Sequence, residues 1–142
     1  MNQKSFILAL IGTLGSIIAN IFGGWSTDLA TLVIFMGIDY ITGLKVAGVF
    51  KKSKKSKNGG LESKVGFKGL AKKVMILCLV LVGYRLDLLL GSNYIRTGLI
   101  IAFICNETIS ITENAGLMGV PIPKVIRNAI DILKSKEDDK NG

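Results

Sequence analysis

The chain has 142 residues, is 49% hydrophobic with a further 17 glycines, and carries 18 Lys and Arg against 10 Asp and Glu, a net charge of +8. This apolar content exceeds that of an ordinary soluble domain; with no histidine, and with Cys78 and Cys105 single in apolar runs, one chain offers no zinc quartet, redox CxxC or disulfide framework. Gly37–Lys45 is misspaced for a phosphate loop and Gly66 with Gly69 lacks the third glycine of a dinucleotide fingerprint, so nothing supports soluble catalysis, a metal or a cofactor.

Residues 6–23 are uncharged and would form a helix of about 27 Å, close to the hydrocarbon thickness of a bilayer. Only Lys4 precedes them, the run is longer than a signal-peptide core and no small-x-small cleavage site follows, so they are read as transmembrane helix one. Gly15, Ala19 and Gly23 recur every fourth residue, as do Gly12, Ser16 and Asn20, giving faces on which helices can approach closely. A break at Gly24–Asp28 holds Trp25, an interfacial ring. Residues 29–50 form the second apolar run, with Gly43 as a further small packing residue, Asp39 near its middle and Lys45 close enough to an end to snorkel.

The basic charge is concentrated next. Lys51–Lys73 contains nine lysines and one acid, Glu62, while the rest of the chain balances nine against nine. Only Phe67 interrupts it with an aromatic ring, which argues against nucleic acid, and its place between two apolar runs favours anionic lipid. Lys51, Lys52, Lys54, Lys55, Lys57, Lys72 and Lys73 are therefore read as topology or lipid-headgroup residues. Asn58-Gly59-Gly60 signals a turn, after which residues 61–73 could form a short surface helix weakened by Gly66 and Gly69.

Residues 74–90 are the third apolar run, with Arg85 and Asp87 near its end on different faces. After a tight loop at Gly91–Tyr94, residues 95–118 begin apolar and turn polar. There Asn106, Glu107, Ser110, Glu113 and Asn114 fall on one helical stripe, and Ile104, Ile111 and Ala115 on another. Pro121 and Pro123 end the run; residues 123–134 read as an amphipathic helix with Val125, Ile126, Ala129, Ile130 and Leu133 together, and 135–142 as a charged, disordered tail.

The expected fold is thus an all-α integral membrane protein, a single domain over residues 1–134 with four short spans (three as the alternative) and a basic cytoplasmic loop between helices two and three. Short Lys-rich loops resist translocation, which places both termini inside. A carboxylate at mid-membrane needs a partner, water or a proton. Lys45 lies six residues from Asp39, too far round the helix for a clean pair, and Arg85 belongs near the opposite surface, so pairing within the chain stays open. The alternative is association of copies, in which Asp39 and the Asn106–Asn114 stripe together line water.

Four blocks, Asp39–Gly43 (DYITG), Ser63–Lys73 (SKVGFKGLAKK), Asn106–Asn114 (NETISITEN) and Gly119–Pro123 (GVPIP), resemble the signature blocks of a phage holin family that includes the clostridial toxin-secretion holins. The resemblance covers residues 29–134. It implies a non-enzymatic protein of the bacterial inner membrane that accumulates, forms homo-oligomers and opens timed lesions. Through these an endolysin, or a toxin, crosses without necessarily touching it, giving host-cell lysis or protein export. The competing class is a small proton-coupled four-helix exporter, which would also suit an intramembrane carboxylate.

Overall fold

The computed structural model describes residues 2–141. Among these it holds five helices and no strand: α1 (Gln3–Ile21), α2 (Thr27–Gly48), α3 (Ser63–Leu90), α4 (Ile95–Leu117) and α5 (Lys124–Asn141). Three of them, α1, α2 and α4, are long and apolar enough to cross a membrane. The expected third run, 74–90, is the second half of the 28-residue α3, whose apolar stretch is bordered by Lys73 and contains Arg85 and Asp87.

Several boundaries differ from expectation for physical reasons. Helix one stops at Ile21 because Gly23 takes a left-handed φ of +87° in the turn, where a Cβ would lie 2.5 Å from the Tyr84 ring. The basic segment is divided: 51–62 is a connection, and from Ser63 the chain is helical without a break into the apolar run. Gly59, at φ +79°, closes that connection against the Lys51 carbonyl, and Ser53 N–H donates to the Gly59 carbonyl at 3.0 Å. The expected disordered tail is instead the continuation of α5 to Asn141; Gly142 lies outside the described residues.

Buried positions alternate at three- and four-residue spacing, the seam of helices packed nearly along one another. On α2 they are Leu29, Leu32, Met36, Asp39 and Val46, with Ala47 beside them; on α4, Ile100, Ile104 and Glu107, with Cys105. On α3 the buried Val80, Gly83 and Asp87 continue downward through half-buried Ile76 and Lys73. Leu32, Val80 and Ile100 are completely enclosed. α2 packs chiefly on α4, and α3 on α4; α2 and α3 touch little. α1 buries no residue, and Gly12 and Gly15 face open space.

The end of the bundle opposite the lysine segment is tied by hydrogen bonds. The buried Asp87 carboxylate accepts from Ser92 Oγ (2.6 Å) and from the backbone N–H groups of Ile95 (3.0 Å) and Arg96 (2.9 Å), capping the positive end of α4. The Arg96 guanidinium donates to the carbonyls of Phe22 (2.8 Å) and Gly24 (3.2 Å) and to Ser26 Oγ (3.1 Å), and lies 3.8 Å from Asp28. One residue thereby fixes the α1–α2 turn to the start of α4.

Gly83 is where α3 and α4 come closest: a Cβ there would lie 2.5 Å from Leu99 Cδ1 and 3.4 Å from the Arg96 backbone. Gly83→Leu should therefore destabilise the detergent-solubilised chain by about 1–3 kcal/mol through overpacking, read as a lowered Tm. Gly12→Leu, where nothing lies within 4 Å, should leave Tm unchanged or slightly raised.

Candidate functional site: a buried ion triad

Asp39 and Glu107 each lie twelve residues, about 18 Å, along their helices from the Arg96 end, so the packing of α2 beside α4 brings the two carboxylates to one level. Into the space between them α3 projects Lys73. Its Nζ donates to Asp39 Oδ2 at 2.9 Å and to both oxygens of Glu107, at 3.1 and 2.9 Å. The three side chains are only 13%, 10% and 6% exposed for Lys73, Asp39 and Glu107 respectively.

The second oxygen of Asp39 is satisfied from α4. Asp39 Oδ1 accepts from Ser110 Oγ (2.6 Å) and Asn114 Nδ2 (3.1 Å). The same amide reaches the Asp39 carbonyl (3.2 Å) and Thr42 Oγ1 (2.9 Å), whose hydroxyl donates to the Ile38 carbonyl (2.8 Å). Gly43 lies beside it, where a Cβ would make an ordinary contact at 3.9 Å from Asn114 Nδ2. An isolated charge at mid-membrane costs roughly 2.5–3.5 kcal/mol on insertion scales; here every charge has an ionic partner and further donors or acceptors, the condition under which buried ions are tolerated.

A cavity of about 340 Å³ leads to the triad from the lysine-segment end. Its mouth includes Lys54, Lys55 and Glu62, and its walls Tyr40, Leu44 and Val65. Tyr40 lies against Gly66 and Gly69, its hydroxyl donating to the Gly66 carbonyl at 3.4 Å. The expected polar stripe of α4 is divided by this geometry: Glu107, Ser110 and Asn114 turn to Asp39, while Asn106 and Glu113 are exposed along the cavity. Gly12, Gly15, Ser16 and Ala19 stay on α1 with no packing partner among them buried, and Gly23 belongs to the turn.

Lys73 departs from the other lysines of its segment. Lys51, Lys52, Lys54, Lys55, Lys57 and Lys72 are exposed, as a headgroup or topology role requires, whereas the Lys73 ammonium points into the bundle. Composition does not mark it off from its neighbours. Spacing does: Lys73, Val80 and Asp87 are seven apart with Ile76 and Gly83 between, so one continuous seam carries the lysine into the packed face. Arg96, alone in its apolar run, is the other polar residue whose role is visible only once the α1–α2 turn is placed beside it.

The arrangement can hold three ions stably in an apolar surrounding and can admit water to them from one end. Among the described residues no group of His, Cys, Asp or Glu could hold a metal ion.

Residues 16–135 match the sequence profile of the Bacteriophage holin family. The chain is 39% identical to an uncharacterized protein of Listeria innocua over 137 residues, 94% of this chain and 92% of that one. It is 40% identical over 138 residues to an uncharacterized 14.9 kDa protein of Clostridium perfringens, covering 96% and 98%. It is 31% identical to a probable holin of Bacillus phage phi105 over 113 residues, covering 79% and 78%. No solved structure matches it.

Removing the shared cation tests the triad. Lys73→Met leaves two carboxylates buried without an ammonium and should cost about 3–5 kcal/mol, seen as a lowered Tm in detergent and reduced membrane abundance. Adding Asp39→Asn and Glu107→Gln to Lys73→Met should restore most of the loss, because no charge is then stranded.

Proposed function

The chain belongs to the bacteriophage holin family, and from that premise we propose that it is a holin that oligomerises in the bacterial inner membrane and opens timed lesions for an endolysin or toxin. The observation that carries this reading is the buried Lys73–Asp39–Glu107 triad within an otherwise apolar bundle. Ordinary membrane anchoring has no use for three ions at this depth. A protein that must first accumulate as a sealed bundle and later face water has a use for them, since the same side chains suit both conditions: paired with one another when dry, hydrated when open.

On this reading four segments span: α1, α2, α4 and the 74–90 part of α3. Lys51, Lys52, Lys54, Lys55, Lys57 and Lys72 stay on the cytoplasmic side and contact anionic headgroups, and both termini lie there too. Copies associate through the small residues Gly12, Gly15 and Ser16, which the single chain leaves exposed, with half-buried Ala19 beside them. The lesion grows from the cavity below the triad, where Asn106 and Glu113 already face outward, and its wall is completed by Asp39, Glu107, Ser110 and Asn114 as water replaces Lys73.

The test is induction of the full chain in a bacterial host with and without a cytosolic endolysin, following dye entry and release of a cytoplasmic enzyme. Growth should stop abruptly after a lag, and enzyme should appear outside only when both proteins are present. Resistance to a solute without loss of the membrane barrier would establish the exporter instead. Asp39→Asn and Glu107→Gln at equal membrane abundance should each shift the onset; identical onset and lesion size in both would remove these residues from the opening step.

A further inference from the structure

The placement of α5 is at odds with its composition. From the Gly119–Pro123 turn it runs back beside α4, and Leu133 packs against the core cluster, whose α4 members are Ile100 and Ile104 and whose α2 members end at Met36. Ile104 is thirteen residues, about 20 Å, from the Leu117 end of α4. If α2 and α4 span the membrane, as the proposed function holds and as this inference requires, α5 lies at the depth of the hydrocarbon. Yet Lys124, Arg127, Asp131 and Lys134 form an exposed face along it. In lipid these charges would be stranded, and Ile130 and Leu133 would gain little in return, because hydrocarbon is as apolar as the surface of α4.

The same helix carries an apolar stripe that α4 covers only in part. Val125 is 77% exposed and Ile132 58%, while Ile130 and Leu133, on the adjoining part of the stripe, are half-buried. The stretch from Lys124 to Lys136, which bears the stripe, has four cations and one acid; the acids Glu137, Asp138 and Asp139 follow it at the far end of the helix. A narrow polar face rich in Lys and Arg beside an apolar stripe is the pattern of a helix lying in the headgroup region of an anionic leaflet. The turn permits such a swing. Gly119 has φ +85° and meets nothing within 4 Å, Pro121 and Pro123 have no N–H to bond, and the backbone bonds stay to either side, Val120 N–H to Ala115 O and Ile126 N–H to Pro123 O.

We propose that α5 is a membrane-surface helix, seated by this stripe in an anionic leaflet on the side of the lysine segment, and that it docks along α4 only where water covers its charged face.

The experiment uses the full chain with Cys78→Ser, Cys105 being buried, and a polarity-sensitive dye on Leu133→Cys or, as the control for the bilayer itself, on the exposed Ile34→Cys. Vesicles of phosphatidylglycerol with phosphatidylethanolamine are compared with vesicles of phosphatidylcholine, each containing quenchers fixed at headgroup or mid-chain depth. The dye at 133 should be quenched at headgroup depth at least threefold more strongly in the phosphatidylglycerol vesicles, and Arg127→Glu with Lys134→Glu should abolish the difference. Shielding of residue 133 from every quencher, or quenching indifferent to phosphatidylglycerol, overturns the proposal if the dye at 34 is quenched at mid-chain depth. If the dye at 34 is unquenched as well, the membrane-spanning reading and this inference fall together.

Discussion

One ammonium group holds three helices in register. α2 and α3 share little packing surface of their own, so the link from Lys73 to Asp39, with Tyr40 on Gly66 and Gly69, keeps α3 beside α2, while the link to Glu107 sets it against α4. Apolar packing between membrane helices is weakly directional, because a Leu is nearly as comfortable against lipid as against another Leu. Ionic hydrogen bonds are not interchangeable in this way. Apart from the cavity at the lysine-segment end the ions have no hydrated alternative within the bundle, so the pairing fixes which helices meet and at what height.

The two ends of α3 are fixed by opposite means. At Lys73 the helix contributes a cation to two carboxylates; fourteen residues on, about 21 Å away, Asp87 contributes a carboxylate to the N-terminus of α4. Between them Val80 and Gly83 make the contact close. The apolar run of α3 carries Lys73 and Asp87, which face inward, and Arg85, which is exposed. This explains why α3 stands apart from α1, α2 and α4 in apolarity while sharing their seam.

Much of this was legible in the residues. The apolar runs marked α1, α2 and α4 to within three positions at either end, and of the Asn106–Asn114 stripe Glu107, Ser110 and Asn114 lie on the α4 face that meets Asp39 and Lys73 while Asn106 and Glu113 lie beside it. The missing part was long-range. Lys45 and Arg85 are the cations nearest Asp39 in sequence or apolar context, yet the partner is Lys73, thirty-four residues away and placed by the junction of a basic segment with an apolar run. Reading 61–73 as a separate surface helix broke the seven-residue spacing that joins Lys73 to Val80 and Asp87. Arg96 was hidden for a related reason: its acceptors are mostly backbone carbonyls in a turn more than seventy residues earlier, which no side-chain pattern announces. The helical end of α5 differs from the expected tail because Ser135 to Asn141, although Ser135, Lys136, Asp138 and Asp139 are exposed, continue a helix whose earlier part is anchored on α4 at Leu133.

The contrast between α1 and the α2–α4 core bears on how such a chain could be both harmless and disruptive. α1 is the most apolar helix and the least packed, with no residue buried; α2, α3 and α4 enclose the buried charges Asp39, Asp87 and Glu107. On the proposed reading these are complementary requirements. A protomer that exposed its carboxylates would perturb the bilayer as soon as it was inserted, and one that buried its small residues internally would have no face left for association. Sealing the ions inside and leaving the small residues outside allows copies to gather without leakage, because association uses α1 while the triad remains closed. Opening then exchanges one set of satisfied ions for another, and water has to arrive before Lys73 can leave. On that proposed reading the cavity beneath the triad is the route for the first water, and the step from assembly to lesion begins at the lysine-segment end of the bundle rather than across its whole depth at once.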